Sequence, residues 1–515
     1  MWLGRWILLR ALLWTMLPLV VLRALPVDLV EGVIWGQGWQ LGYDQPPLQA
    51  WLIGAVDALS GHRREALFLT SQILVASCLL SVWRLAASIV TPLGALVSVL
   101  LLEGVFYLNF GSPNLFPDLI AVPFWAGSIG AFHRALRRQH AVRWAILGLW
   151  LAAAAHAKYV SAVLAVVMIA FLIFDPHARR SFRTSGPYLC AGLCLALLVP
   201  HLGWAMRNDF PTVAHVGAVS RPTAGAVDVL LSFLGFAGGQ VLVVLGLVLL
   251  VRALSPPPGA DAPIRLAGDL RAFDRRFVAA MAMGPLLLVL AGAALGGIQF
   301  RVHWTYAMWS CAGLFVVVFV VPATDAERLR GFGRVFAGWI ALMAVAYVGA
   351  NRIAPLLEIP HARAKSARSP VDRILREVQQ EAKHGLERLQ REASFPSDEI
   401  ATMITQEWRR QLDVPLAYVI GNKWVAGNVG FFSPDHPLVV RDGDPTRSPW
   451  IDADDLRRRG AAVVWNPDFD TNGIAAALER RFPTMERQPT IVIPNGSSGD
   501  RPPVRIMWGI LRPSP

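Results

Sequence analysis

Val27-Asp28-Leu29-Val30-Glu31-Gly32, followed by Gly42-Tyr43-Asp44-Gln45-Pro46-Pro47-Leu48-Gln49-Ala50-Trp51, sets three carboxylates between one apolar run and a long series of others. Acids at the mouth of a bilayer-embedded bundle are costly unless they bind a cation, pair with a base or take part in chemistry. This stretch therefore orders the rest of the reading: hydrophobic spans on either side, and function at the face where the acids gather.

Composition agrees with a membrane bundle. The chain has 515 residues, 54% hydrophobic and only 16% charged, with 19 Trp, and a mean hydropathy of +0.45. A soluble chain cannot hide that much apolar surface. The net charge of +12 comes from arginines in loops between apolar runs and in the C-terminal region. No nucleic-acid-binding motif accompanies it, so that function class is set aside. Cys78, Cys190, Cys194 and Cys311 all lie in apolar runs, without the His or acidic neighbours that metal ligation needs, and read as buried small hydrophobes. Arg5 and Arg10 give the N-terminus some likeness to a signal peptide. The apolar part runs on to Leu25 without a small-x-small cleavage site, and an uncleaved first span is expected.

Eleven candidate spans follow: 6–25, 64–83, 90–109, 118–136, 142–157, 159–174, 187–205, 227–251, 277–296, 304–322 and 335–350. Residues 46–60 follow two prolines and contain Asp57, and read as an interfacial helix. With a cytoplasmic N-terminus, four arginine-bearing loops become cytoplasmic: His133–Arg143, Asp175–Arg183, Arg252–Arg276 and Asp325–Arg334. The opposite loops carry Asp28, Glu31, Asp44, Asp118 and Asp209. An odd number of spans leaves the C-terminus outside, in a bacterial inner membrane on the periplasmic side.

The texture changes near Asn351, dividing the chain into a membrane domain, 1–350, and an extracytoplasmic domain, 351–515. Residues 367–393 and 398–412 are amphipathic and helical. Short apolar runs at Leu416–Ile420, Pro437–Val440, Ala461–Trp465, Thr490–Ile493 and Val504–Ile510 read as strands, with helices at Asp452–Arg459 and Gly473–Arg481. Alternation of this kind predicts a small α/β domain. Asn495-Gly496-Ser497 fits a glycosylation acceptor, which is weak evidence at a turn. There is no Walker or dinucleotide-binding glycine pattern, and no nucleotide cofactor is expected.

The candidate site residues lie on one predicted face. Asp28 and Glu31, at i and i+3, share a helix face and suit a base with a partner or, together with Asp44, a divalent metal. The plain alternative is a solvated cap at the membrane surface. Pro46-Pro47 rigidify the chain and hold Asp44 and Gln45 near those acids. Asp118 opens a span, where N-capping is the ordinary role. Glu103, inside an apolar helix, is either functional or held by a buried hydrogen bond. Lys158, in His156-Ala157-Lys158-Tyr159, either snorkels or holds a phosphate. Arg207 and Asn208, with Arg301 and His303, stand at the same edge beside tryptophans, and guanidinium geometry suits a lipid phosphate or a sugar carboxylate.

Asp28-x-x-Glu31, the run from Gly42-Tyr43 through Pro46-Pro47-Leu48 to Trp51, Pro117-Asp118, Lys158-Tyr159 and Trp204 to Asn208-Asp209 together resemble the polyprenol-phosphate-dependent glycosyltransferases of the membrane C-type fold. The nearest group is that of the bacterial protein mannosyltransferase-like and lipid A aminoarabinose and galacturonic acid transferase-like enzymes. Val302-His303-Trp304 is a weaker match, and the resemblance covers about residues 1–350. It implies a polytopic helical bundle of about eleven spans with a C-terminal extracytoplasmic α/β domain. It further implies sugar transfer from a polyprenyl-phosphate donor to a cell-envelope acceptor, a lipid, glycan or protein. Asp28 would be the base or acceptor-orienting acid with Glu31 alongside, Asp118 a second acid, and Lys158 a contact to the donor phosphate. Tyr43, Asp44, Gln45, Tyr159, Arg207, Asn208, Arg301 and His303 complete the expected substrate site. Members often carry a basic residue or histidine where this chain has Gln45. A transporter or flippase of a lipid-linked or anionic substrate is the rival reading; it calls for charge at mid-bilayer and repeated halves.

Overall fold

The structure, a computed structural model, describes residues 2–219, 225–257, 259, 261–296, 300–354, 383–469, 473–494 and 503–514. Asn495-Gly496-Ser497 and most of the amphipathic stretch 367–393 lie outside them.

Among the described residues, seven helices are long and apolar enough to cross a membrane: α1 (Trp2–Val21), α4 (Arg64–Ala86), α6 (Pro117–Arg138), α9 (Gly186–Arg207), α13 (Ala272–Gly296), the segment Val302–Val320 and α15 (Ala326–Ile353). An eighth span is broken: α11 (Ala226–Val243) and α12 (Leu245–Leu254) meet at a 48° bend. Shorter apolar helices are α3 (Leu48–Ser60), α5 (Pro92–Leu100), α7 (Ala141–Ala157) and α8 (Ser161–Phe174). All eleven expected segments are therefore helical, and α3 is the helix expected at 46–60. The segment 90–109 is not one continuous helix, however: α5 ends at Leu100 and passes into 3₁₀ turns at Leu101–Gly104 and Phe106–Leu108.

The chemistry of Glu103 explains that break. Its carboxylate accepts from Arg10 Nε (2.8 Å), Trp6 Nε1 (3.1 Å) and Asn109 Nδ2 (3.1 Å), and Arg10 Nη1 donates to Gln72 Oε1 (2.7 Å). Both ion-pair partners are almost fully buried. The intramembrane acid is thus held in a hydrogen-bonded network that ties α1, α4 and the turns after α5 together. Tilted out of a regular helix, the chain at Glu103 also gives its carbonyl to Trp339 Nε1 on α15 (2.9 Å).

The centre of the bundle is α6, nearly all of whose residues are buried; it packs against α4, α7 and the 3₁₀ stretch Val302–Cys311. Pro117 stands at its first turn, where a missing N–H costs nothing.

Residues 383–394 form α16, followed by α17 (Ser397–Leu412) and α18 (Lys423–Phe432). A six-stranded sheet follows, with β3 (Tyr418–Gly421), β4 (Leu438–Arg441) and β5 (Ala461–Trp465) parallel, and β8 (Val504–Leu511) antiparallel to β5. β6 (Glu486–Arg487) and β7 (Ile491–Ile493) both pair with β8. The parallel strands require crossovers, and α18 supplies the first. The expected strands are present, and so are the expected helices within the described residues; α18 and β6 were not anticipated, since α18 is a short, Gly-containing helix (Lys-Trp-Val-Ala-Gly-Asn-Val-Gly-Phe-Phe) and β6 is two charged residues.

The two halves are not separable bodies. One hydrophobic core runs from the bundle through α2 (Val27–Gly36) into Trp408, Trp424 and one face of the sheet; a second, smaller core fills the other face. The chain after α1 is stitched to α16 and α18: Arg23 N and Ala24 N donate to Glu392 O (3.0 Å each), and Asn428 Oδ1 accepts from Leu25 N (2.8 Å).

Candidate active site

Asp28 and Glu31 lie on α2, sharing the helix face that their i, i+3 spacing predicts. α2 is wedged between α3 and α18. Gly36 and Gly54 let α2 and α3 touch by backbone, for a Cβ on Gly36 would come within 2.6 Å of Gly54 Cα. Gly427 likewise makes room for Val30 and Ile34. The acids are therefore fixed by packing from both sides.

Each carboxylate meets a different base. Asp28 Oδ2 accepts from Arg388 Nη2 (3.0 Å) and Asn114 Nδ2 (3.2 Å). Glu31 Oε1 accepts from Lys423 Nζ (2.9 Å) and lies 3.3 Å from Arg441 Nη1, which also donates to Asp44 Oδ2 (3.0 Å). Burial pushes the Asp28 carboxyl up, but Arg388, Asn114 and Lys423 together outweigh it and hold it below the usual carboxylate range. On Arg388, burial opposes the charge, and Glu392 and Asp28 more than restore it.

These bases come from the C-terminal half, 360 or more residues away in sequence. Sequence reasoning assigned that half no site residue, and nothing local to Arg388, Lys423 or Arg441 sets them apart from the other arginines and lysines there. The shared face of Asp28 and Glu31 does not produce a shared ligand. Asp28 pairs with Arg388 while Glu31 and Asp44 share Arg441, with Lys423 also on Glu31, and among the described residues no three His, Cys, Asp or Glu side chains come together as metal ligands. That donor set does not fit a shared divalent metal, and no chemical step is assigned to one.

Asp118, in the first turn of α6, is buried and bonded to Lys158 Nζ, which caps the end of α7. Its second oxygen, Oδ1, is buried without a hydrogen-bond partner among the described residues. Asn114 reaches Asp28 from one turn before Asp118, so the two acids share one mouth. His303 joins them: Asp118, Lys158, Arg301 and Asp28 all lie within electrostatic reach of its ring. It heads a 3₁₀ stretch of ten residues, a conformation uncommon at that length. Beside the mouth is a cavity of about 240 Å³ walled by aromatic rings, among them Phe68, Phe110, Tyr306 and Tyr347, with Asn114, Arg388 and Glu392 at its polar end.

The remaining expected residues hold the rim in shape. Tyr43 is buried, with burial pushing its phenol up to about 12. Its hydroxyl accepts from Gln40 N (2.7 Å) and donates to Trp35 O (2.7 Å), so it is consumed by the fold. Gln45 contributes its carbonyl to Tyr43 N (3.0 Å). Tyr159 O–H donates to His201 Nε2 (2.5 Å), which leaves the proton on Nδ1 to reach Leu41 O (2.6 Å). The loop Gly42–Pro47 thereby docks on α9, with Gly42 seated under Trp204, where no Cβ would fit. Asn208 donates to Trp204 O (2.8 Å). Arg207 is exposed, and the structure does not bring it to the acids; Arg301 is exposed and reaches His303 only electrostatically.

A helical bundle with paired acids and a lysine at one mouth, an aromatic cavity beside them and a small α/β domain clamped over it defines a multi-pass membrane protein of the C-type glycosyltransferase fold. Residues 44–204 match the family described as dolichyl-phosphate-mannose-protein mannosyltransferase, the stretch that includes Asp44, Asp118, Lys158 and Tyr159. Over nearly its whole length the chain has the fold of ArnT from Cupriavidus metallidurans. The crystal structure of that protein bound to undecaprenyl phosphate superposes with a TM-score of 0.58 at 13% identity, covering 99% of this chain and 98% of that one. Its apo state gives 0.54 at 14% identity, with 99% and 97% covered. No curated protein matches the sequence. The resemblance carried by the sequence motifs is thus matched by the family over residues 44–204 and by the fold over nearly the whole chain.

Proposed function

We propose that this protein transfers a sugar from a polyprenyl-phosphate donor to a cell-envelope acceptor at the face carrying Asp28, read from loop charge as the periplasmic side of the inner membrane. The observation that carries the reading is the Lys158–Asp118 pair at the same mouth as Asp28, with Asp118 Oδ1 unsatisfied. A buried polar atom without a partner calls for a polar ligand.

In this reading Lys158 and Arg388 face the donor phosphate while the aromatic cavity takes the first part of its lipid tail. Asp28 accepts the proton of the acceptor hydroxyl as its oxygen forms a bond to the anomeric carbon. The bond from that carbon to the phosphate oxygen breaks, and the electron pair leaves with the polyprenyl phosphate, whose charge the two cations offset. One displacement inverts the anomeric centre. Asp118 keeps Lys158 aimed, and Glu31 and Asp44 hold the domain closed through Lys423 and Arg441. ArnT was crystallised with undecaprenyl phosphate, which supports a lipid-phosphate donor of this type.

The test is sugar transfer by purified protein supplied with polyprenyl-phosphate sugars and an envelope extract. General-base help is worth about 10²–10⁴ in rate, so Asp28→Asn should lose turnover on that scale. Full turnover by Asp28→Asn removes Asp28 from the reaction, and failure of every polyprenyl-phosphate donor removes the donor class.

A further inference from the structure

A second polar site lies at the far end of α6. That helix is 22 residues long and so places its last residue roughly 30 Å from Asp118. There, at the turn between α6 and α7, a cavity of about 530 Å³ is lined by Arg134, His140 and Arg143 together with Ala131, Val142 and Ile146. The charges of Arg84, at the end of α4, and of Arg143 both bear on Arg134. Among the described residues, the side chains of these three arginines make no hydrogen bond or ion pair. Arg134 folds back along its own helix over Gly130, where a Cβ would stand 3.2 Å from its Nη1. The glycine gives the guanidinium room to lie on the helix surface.

Three guanidinium groups within electrostatic reach of one another and with no acidic partner among the described residues favour an anion between them. The apolar part of the pocket says which anion. Val142 and Ile146 are exposed, at 69% and 40%, beside Arg143 and just under one turn beyond it on α7, and α6 and α7 are both apolar helices. Cations at the helix ends with bare aliphatic side chains beside and just beyond them match a headgroup next to the start of an acyl chain. Basic pockets between spans recognise anionic lipid headgroups in this way.

We infer that Arg84, Arg134 and Arg143 form a binding site for the phosphodiester of an anionic phospholipid, separate from the sugar-transfer site. Near an anionic surface each such arginine contributes on the order of a fivefold gain in affinity. Phosphatidylglycerol is the probe. The full-length protein is taken from phosphatidylcholine vesicles doped with phosphatidylglycerol, and retained lipid is measured by native mass spectrometry. The wild type should retain phosphatidylglycerol over phosphatidylcholine. Arg134→Gln with Arg143→Gln should weaken that preference about 25-fold, and Lys at both positions should keep most of it. Should the double variant fail to fold, Arg84→Gln alone, on an exposed side chain, should cost about fivefold. The inference is overturned if the glutamine variants retain phosphatidylglycerol as the wild type does, or if inorganic phosphate displaces the lipid at equal concentration, which would mark a free-anion site.

Discussion

Arg388→Gln removes the cation that most strongly holds Asp28 ionised, and its effect can be worked out before any substrate is known. In the wild type, burial raises the Asp28 carboxyl and Arg388 leads the groups that reverse it, so the net shift is downward. A carboxyl depressed in the folded state contributes stability above its unfolded value of about 3.9, and that contribution is lost as pH falls through the folded value. Without Arg388, burial is opposed only by Asn114 and Lys423, so the carboxyl moves upward and its ionised form contributes less stability at neutral pH. An arginine neighbour depresses an aspartate by about 1–3 units. The two side chains are 34% and 35% exposed at 3.0 Å, and solvent screening puts the effect near the bottom of that range, about 1 kcal/mol. The assay is the melting temperature of the detergent-solubilised protein between pH 7 and pH 3. The deficit of Arg388→Gln should be on the order of 2 °C at pH 7 and should shrink as pH falls and both proteins protonate Asp28. Arg388 also bonds Glu392 (2.7 Å), so the comparison is repeated in an Asp28→Asn background, where the pH-dependent part should vanish. A deficit that stays constant with pH, or persists unchanged in that background, refutes the coupling. In the transfer assay the acid limb of the rate profile should move up by about one unit in Arg388→Gln.

Glu103→Ala strands Arg10 among buried groups, and should cost about 3–5 kcal/mol in chemical unfolding, whereas Arg10→Leu with Glu103→Leu should cost far less. Lys158→Ala should lower kcat/KM for the polyprenyl-phosphate donor by about 10²-fold through loss of a charged contact to the phosphate; an unchanged value excludes the contact. Gly36→Val forces α2 away from Gly54, and should cost about 1–3 kcal/mol of stability while also lowering transfer, because it moves the helix that carries Asp28.

The periodic parts of this fold were legible because each is encoded within a short window. Apolar runs located all eleven apolar helical segments, seven or eight of them long enough to span among the described residues, and alternating short runs located five of the six C-terminal strands. Where sequence reading stopped, the determinant was distant. The break after Leu100 follows from Glu103 finding Arg10 across 93 residues. The partners of Asp28, Glu31 and Asp44 come from across the fold, and one arginine looks like another until packing selects it. Tyr43 shows the converse: a motif residue expected at the substrate turned out to have both hydroxyl bonds committed to the backbone.

The C-terminal domain is part of the site's electrostatics, not a passenger on the bundle. Left without a cation, the Asp28 carboxyl would be pushed by burial toward its protonated form, and a protonated Asp28 can accept nothing from an acceptor hydroxyl. The bundle itself supplies Lys158, but that charge is committed to Asp118. The cations for Asp28, Glu31 and Asp44 all arrive on α16, α18 and β4. Those same elements share the hydrophobic core that fixes α2. Packing and charge thus enforce each other: the domain cannot lift without exposing Val30 and Ile34, and it cannot stay seated without bringing Arg388 to Asp28. In the proposed reaction, the seated domain is therefore what keeps Asp28 ionised and able to accept a proton.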